Sequence, residues 1–155
     1  MQINWAHVHL LINHFPVVGV LGGILLLIYA LTRKSEEVKM VSLGVFVLIA
    51  LMTIAVFFTG QAAEEAVKKL PGVTEGYIGR HEEMAEYAIT LMEILGVLAL
   101  TGLVLLKRLG AIPKLVVLLV LVMSLITAAV VGFTANLGGQ IRHTEIRDNA
   151  VSDYK

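Results

Sequence analysis

Residues 7–31 read HVHLLINHFPVVGVLGGILLLIYAL. From Leu10 onward the run carries no Asp, Glu, Lys or Arg, and it is about as long as the roughly 20 helical residues needed to cross a bilayer core. Three further blocks have the same character, so the reading is of spans at about 10–31, 40–58, 85–106 and 115–134. Backbone groups must be satisfied internally in lipid, which makes each block a helix. A membrane β-barrel would show alternating segments of about ten residues, and these blocks are continuous. The expected fold is all-α, a single integral membrane four-helix bundle running up-down-up-down over residues 1–155, with an outer amphipathic loop at 60–83.

Composition agrees. Of 155 residues, 57% are hydrophobic and 15% charged, against about a quarter charged in soluble domains. The net charge of zero gives no basic surface for nucleic acid. The absence of cysteine excludes disulfides, thiolate metal sites, iron–sulfur clusters and covalent c-type haem attachment. Any metal or haem must be held by His, Met, carboxylate or Tyr. MQINWAH, the first seven residues, has no Lys or Arg, and no small-residue cleavage pattern follows, so the first apolar segment is expected to remain as an anchor.

Two connections are short and basic, one with Arg33, Lys34 and Lys39, the other with Lys107, Arg108 and Lys114. The opposite face carries as many basic residues, but they are spread along a longer loop and the tail. Basic residues in short loops beside spans mark the cytoplasmic side. The expectation is therefore a multi-pass protein of the bacterial inner (cytoplasmic) membrane with both termini outside. Glu64 and Glu65 precede Lys68 and Lys69 at helical spacing, Pro71-Gly72 ends that stretch, and Thr74 is placed to cap the next helix. The tail DNAVSDYK is polar and expected to fray.

In that topology all five histidines meet one membrane face. His7, His9 and His14 enter the first span, His81 precedes the third and His143 follows the fourth. His7 and His14, seven residues apart, share one helical stripe about 10 Å long, and His9 points elsewhere. Only one or two of the three can face the bundle interior together. Interfacial placement alone would account for any one such residue. Five on one face suggest a ligand site.

Two chemistries fit. A b-type haem needs two facing imidazoles and flat slots beside the ring. His14 and His81 are the first choice because they come from different spans, followed by His9, His143 and His7. Arg80 and Arg142 stand beside His81 and His143 as candidate partners for the propionates. Small residues that could open slots are Gly19, Gly22, Gly23, Gly44, Gly96, Gly102, Ala128, Ala129 and Gly132, although close helix packing is their commoner use. The alternative is a transition-metal site for zinc, iron or copper using His14, His81, His143 and His9 with Glu64 or Glu82. Neither the zinc motif HExxH nor the Glu-x-x-His pairs of di-iron bundles is present. Glu93, deep in the third span, is a proton-handling candidate. A further alternative is a structural subunit of a membrane complex.

The segments HVHLLINHFPVVG, TGQAAEEAVKKLPGVTEGYIGRHEEMAEYA and ANLGGQIRHTEI together resemble a family of small bacterial four-helix membrane proteins of unknown function with an H-x4-H-F-P motif in the first span. Matching positions are His9, His14, Phe15 and Pro16, then Gly60, Glu64, His81 and Glu82, then Gly138, Gly139 and His143. His7 lies outside the core motif. Many relatives carry a further histidine directly after the Gly-Gly pair, where Gln140 stands here. The resemblance implies a place in respiratory or redox systems. The function expected is a haem b protein, an electron carrier rather than a stand-alone enzyme. Its expected partners are the lipid bilayer, quinol and an outer-face redox protein, with a second copy of the chain as an additional option.

Overall fold

A computed structural model describes residues 4–147; the polar tail expected to fray lies outside them. Five α-helices follow one another, with no strand among the described residues: α1 (Trp5–Ile12), α2 (His14–Arg33), α3 (Glu36–Val67), α4 (Glu75–Leu109) and α5 (Lys114–Arg142), then a 3-10 turn at Thr144–Ile146. α1 and α2 together, α3, α4 and α5 are each long and apolar enough to cross a membrane. The chain is thus an all-α four-helix bundle in which α2, α3, α4 and α5 close a ring and α1 lies against α3.

The helices overrun the expected spans at the end that carries the α3–α4 connection. TGQAAEEAV does not form a separate loop helix but continues α3 to Val67. α4 begins at Glu75, ten residues before the apolar block. The α3–α4 connection shrinks to residues 68–74. At 32 and 35 residues, α3 and α4 exceed a 30 Å hydrocarbon core by several turns. Helical propensity and the Glu64–Lys68 ion pair carry α3 on into water. Thr74 is the N-cap residue of α4, in extended conformation, but its side chain makes no capping bond. Ser35 does cap α3, accepting from the Val38 N–H at 3.3 Å.

The first span is divided at Asn13. Pro16 has no N–H to offer the Ile12 carbonyl, so the helical ladder is interrupted there. At the end of the bundle away from His9 and His81, Gly110 ends α4 with φ +76°, a left-handed turn that suits glycine. The Ile112 N–H donates to Glu36 Oε2 at 3.3 Å, tying the α2–α3 and α4–α5 connections together.

Leu27, Leu43, Phe46, Met92, Leu95 and Val120 are fully buried and make the core. Leu25, Leu48, Val97 and Leu118 face outward, as lipid-facing positions do. Helix approach depends on glycine. A Cβ on Gly23 would stand 2.5 Å from the Phe46 ring, and one on Gly96 would stand 2.5 Å from Ala50. Gly19 abuts Ile49 and Gly102 abuts Leu43 as closely. These four glycines serve helix packing. Gly22, Gly44 and Gly132 have open space beside them. Ser42 Oγ donates to the Gly23 carbonyl at 2.9 Å, a polar link at the α2–α3 contact.

Candidate functional site

The rim of the bundle holds two nearly equivalent arrangements. His9 on α1 sets Nδ1 3.1 Å from the Val56 carbonyl and 3.3 Å from Thr59 Oγ1, both on α3. His81 on α4 sets Nδ1 3.0 Å from the Thr134 carbonyl on α5. A carbonyl can only accept, so in each ring Nδ1 carries the proton and donates. Nε2 then holds a lone pair, with no protein hydrogen-bond partner in either ring among the described residues. Hydrogen bonding at one ring nitrogen fixes what the other can do.

Each ring also lies against a glycine four residues beyond the carbonyl it bonds. A Cβ on Gly60 would come within 3.1 Å of His9 Cε1, and one on Gly138 within 3.0 Å of His81 Cε1. Both contacts are tighter than ordinary carbon packing at about 3.5–4.0 Å. The bare backbone is what lets each imidazole lie close to the facing helix and reach its carbonyl. Thr134 is braced in turn, with Oγ1 donating to Val130 O at 2.9 Å and to Met84 O at 3.2 Å. Thr59 Oγ1 donates to Val56 O at 2.9 Å. Both histidines are half-buried.

The remaining histidines stand apart from this pair. His7 and His14 lie on either side of the break at Asn13, and both are exposed. His14 lines a shallow apolar groove on the outer surface with Leu11, Phe15 and Val18. His143 is exposed beyond the end of α5 and pairs with Glu145 at 2.9 Å. The Glu145 carboxyl lies below the usual carboxylate range, first because its own backbone N–H bonds it and then because His143 does.

Glu64 is held by Lys68 in an ion pair. No group of three or more His, Cys, Asp or Glu able to hold a metal occurs among the described residues. Arg142 is exposed; Arg80 is half-buried beside His81 and makes no ion pair among the described residues. Glu93 is half-buried inside the third span, with Oε1 sealed from solvent and unpartnered.

Arg147 is the residue that sequence reading passed over. Its guanidinium donates to the carbonyls of Gln140 (2.8 Å), Ile141 (2.9 Å) and Gly72 (2.9 Å), and it stacks 4.4 Å from the centre of the Tyr77 ring. It closes the end of α5 and joins it to the α3–α4 connection. An arginine five residues past the end of a helix carries no sequence signal for this.

No family model matches the chain, and neither a curated protein nor a solved structure matches it.

Proposed function

We propose that the protein is a membrane-embedded b-type haem protein that carries electrons at the outer face of the bacterial inner membrane, with His9 and His81 as the two axial ligands. The observation that carries this reading is the pair of bare Nε2 atoms, each belonging to an imidazole locked through Nδ1 onto a backbone carbonyl. Such a second hydrogen bond is the usual accompaniment of a metal-ligating histidine, fixing its tautomer and orientation.

The number of donors distinguishes haem from a simple metal ion. A bound zinc wants three or four protein ligands, whereas haem iron brings its ring nitrogens and needs only two axial donors. Two imidazoles on separate helices suit the second. When bound, the haem supplies one-electron chemistry; the chain supplies ligands, orientation and a low-dielectric wall. His9 takes the place first given to His14, because His14 faces outward. Arg80 is the nearest candidate partner for a propionate. Quinol and an outer-face redox protein are the proposed partners, with both termini on that face.

The test is the absorption spectrum of purified protein, as isolated and after titration with haem. A Soret band that shifts on dithionite reduction is expected, altered or lost in H9A and in H81A, and retained in H14A. Equal haem binding by wild type and the H9A/H81A double variant overturns the assignment.

A further inference from the structure

Among the described residues four side-chain oxygens are sealed from solvent without a hydrogen-bond partner: Gln140 Oε1 near the end of α5, and Asn13 Oδ1, Glu93 Oε1 and Thr127 Oγ1 deeper in the spans. Thr127 is fully buried on the inner face of α5. Asn13 belongs, by helical spacing, to the face of the first span that buries Pro16, Val20 and Ile24. Glu93 follows the buried Met92 by one residue and precedes Gly96, which abuts Ala50 of α3, by three.

The antiparallel registers bring these groups to one depth. Gly96 meets Ala50 and Gly102 meets Leu43 between α4 and α3; Thr134 meets Met84 and Val116 meets Gly102 between α5 and α4; Gly19 meets Ile49 between α2 and α3. Extended along the helices, those pairings place Asn13, Glu93 and Thr127 within about one turn of a common level. That level lies about 8 Å deeper than the contact of His9 with Gly60. Thr53, buried on α3, reaches the same level. The Ile12 carbonyl is there too, left without its helical donor by Pro16.

Such a layer asks for an occupant. One unpaired buried polar group costs about 1–3 kcal/mol, and three from different helices at one depth compound that cost. What the layer offers is oxygen: an amide, a hydroxyl, a carboxyl and a freed carbonyl. It includes no basic group. α3 has no titratable side chain from 40 to 63 and α5 none from 115 to 141. On the first span His14 is exposed, and the half-buried His9 lies about one turn nearer the rim with Nδ1 on the Val56 carbonyl; on α4 the nearest titratable groups, Glu86 and Tyr87, are exposed. A carboxyl in the hydrocarbon region with no cationic partner, near a broken helix with a free carbonyl, has the chemistry by which membrane proteins hold small cations. Hard cations prefer oxygen donors of this kind.

We infer that Asn13, Glu93 and Thr127, with the Ile12 carbonyl and Thr53, form an internal site for a small monovalent cation, either Na+ or hydronium. The inference does not rest on the haem and is tested without it.

The experiment follows the thermal unfolding midpoint of the full chain in detergent. NaCl is titrated against choline chloride at constant ionic strength, and separately pH is varied at fixed Na+. With cation at ten times its half-saturating concentration, wild type gains about 3–6 °C. A saturable gain with Na+, or with falling pH, that is lost in both T127V and E93Q supports the site and identifies its ion. The readout is the dependence on cation, so a variant of lower starting stability remains informative. A midpoint indifferent to both cations, or a gain that survives in E93Q, overturns the inference.

Discussion

Replacing Gly138 by Ala sets two effects of opposite sign against each other. Ala in the interior of a helix is favoured over Gly by about 0.5–1 kcal/mol. Against this, the new Cβ would sit 3.0 Å from His81 Cε1 and 3.2 Å from Nδ1. The ring must withdraw by a few tenths of an ångström, which its hydrogen bond resists. Its hydrogen bond to Thr134 O is now 3.0 Å, and that withdrawal stretches it to the limit of a real bond. Overpacking of this kind costs about 1–3 kcal/mol, so it outweighs the helix gain. G138A is therefore expected to unfold at a lower midpoint than wild type. If His81 ligates a haem, affinity falls as well, by roughly tenfold for each 1.4 kcal/mol lost at the ring. Gly132 is the internal control. It lies on the same helix, and its Cβ would meet nothing within 4 Å, so G132A retains only the favourable term. Thermal unfolding and haem titration of G138A and G132A in one detergent form the assay. The reasoning is refuted if G138A is as stable as G132A and binds haem with wild-type affinity.

Two further outcomes follow from the packing. S42A removes the hydroxyl bonded to the Gly23 carbonyl and is expected to cost about 0.5–1.5 kcal/mol, read as a lowered unfolding midpoint with unchanged helix content. R147A removes the guanidinium that bonds Gln140, Ile141 and Gly72 and covers Tyr77. It should leave the spans intact while amide exchange and protease cleavage accelerate at residues 68–77; R147K, which cannot form the same fork, should restore little of the protection.

The bundle was legible because hydrocarbon imposes a simple rule. Four long apolar blocks must be helices, and the blocks stand out against only 15% charged residues. Helix ends were less legible. Once beyond the bilayer a helix answers to ordinary propensity and ion pairs, so α3 continued through Gly60 to Val67 where a loop was expected. At the site, spacing grouped His7 with His14 and set His9 apart; the first two are exposed and His9 is half-buried, but a helical wheel gives relative direction only. Which stripe turned inward was decided by α1 lying on α3, with Gly60 there to receive the His9 ring. The glycines singled out as slots divided in the same way. Gly19, Gly23, Gly96 and Gly102 hold helices together, while the two that accommodate imidazoles, Gly60 and Gly138, stood out only through the family resemblance. The Arg147 clamp, built from backbone carbonyls and one aromatic face, left no trace in residue pattern at all.

Electron paramagnetic resonance of the oxidised, haem-loaded protein addresses the ligand pair most directly. If His9 and His81 hold a haem as proposed, wild type should give a low-spin bis-imidazole signal, H9A and H81A should each convert it to high spin or abolish it, and H14A should leave it unchanged. A low-spin signal that persists in H9A or H81A, or that vanishes in H14A, would contradict the account.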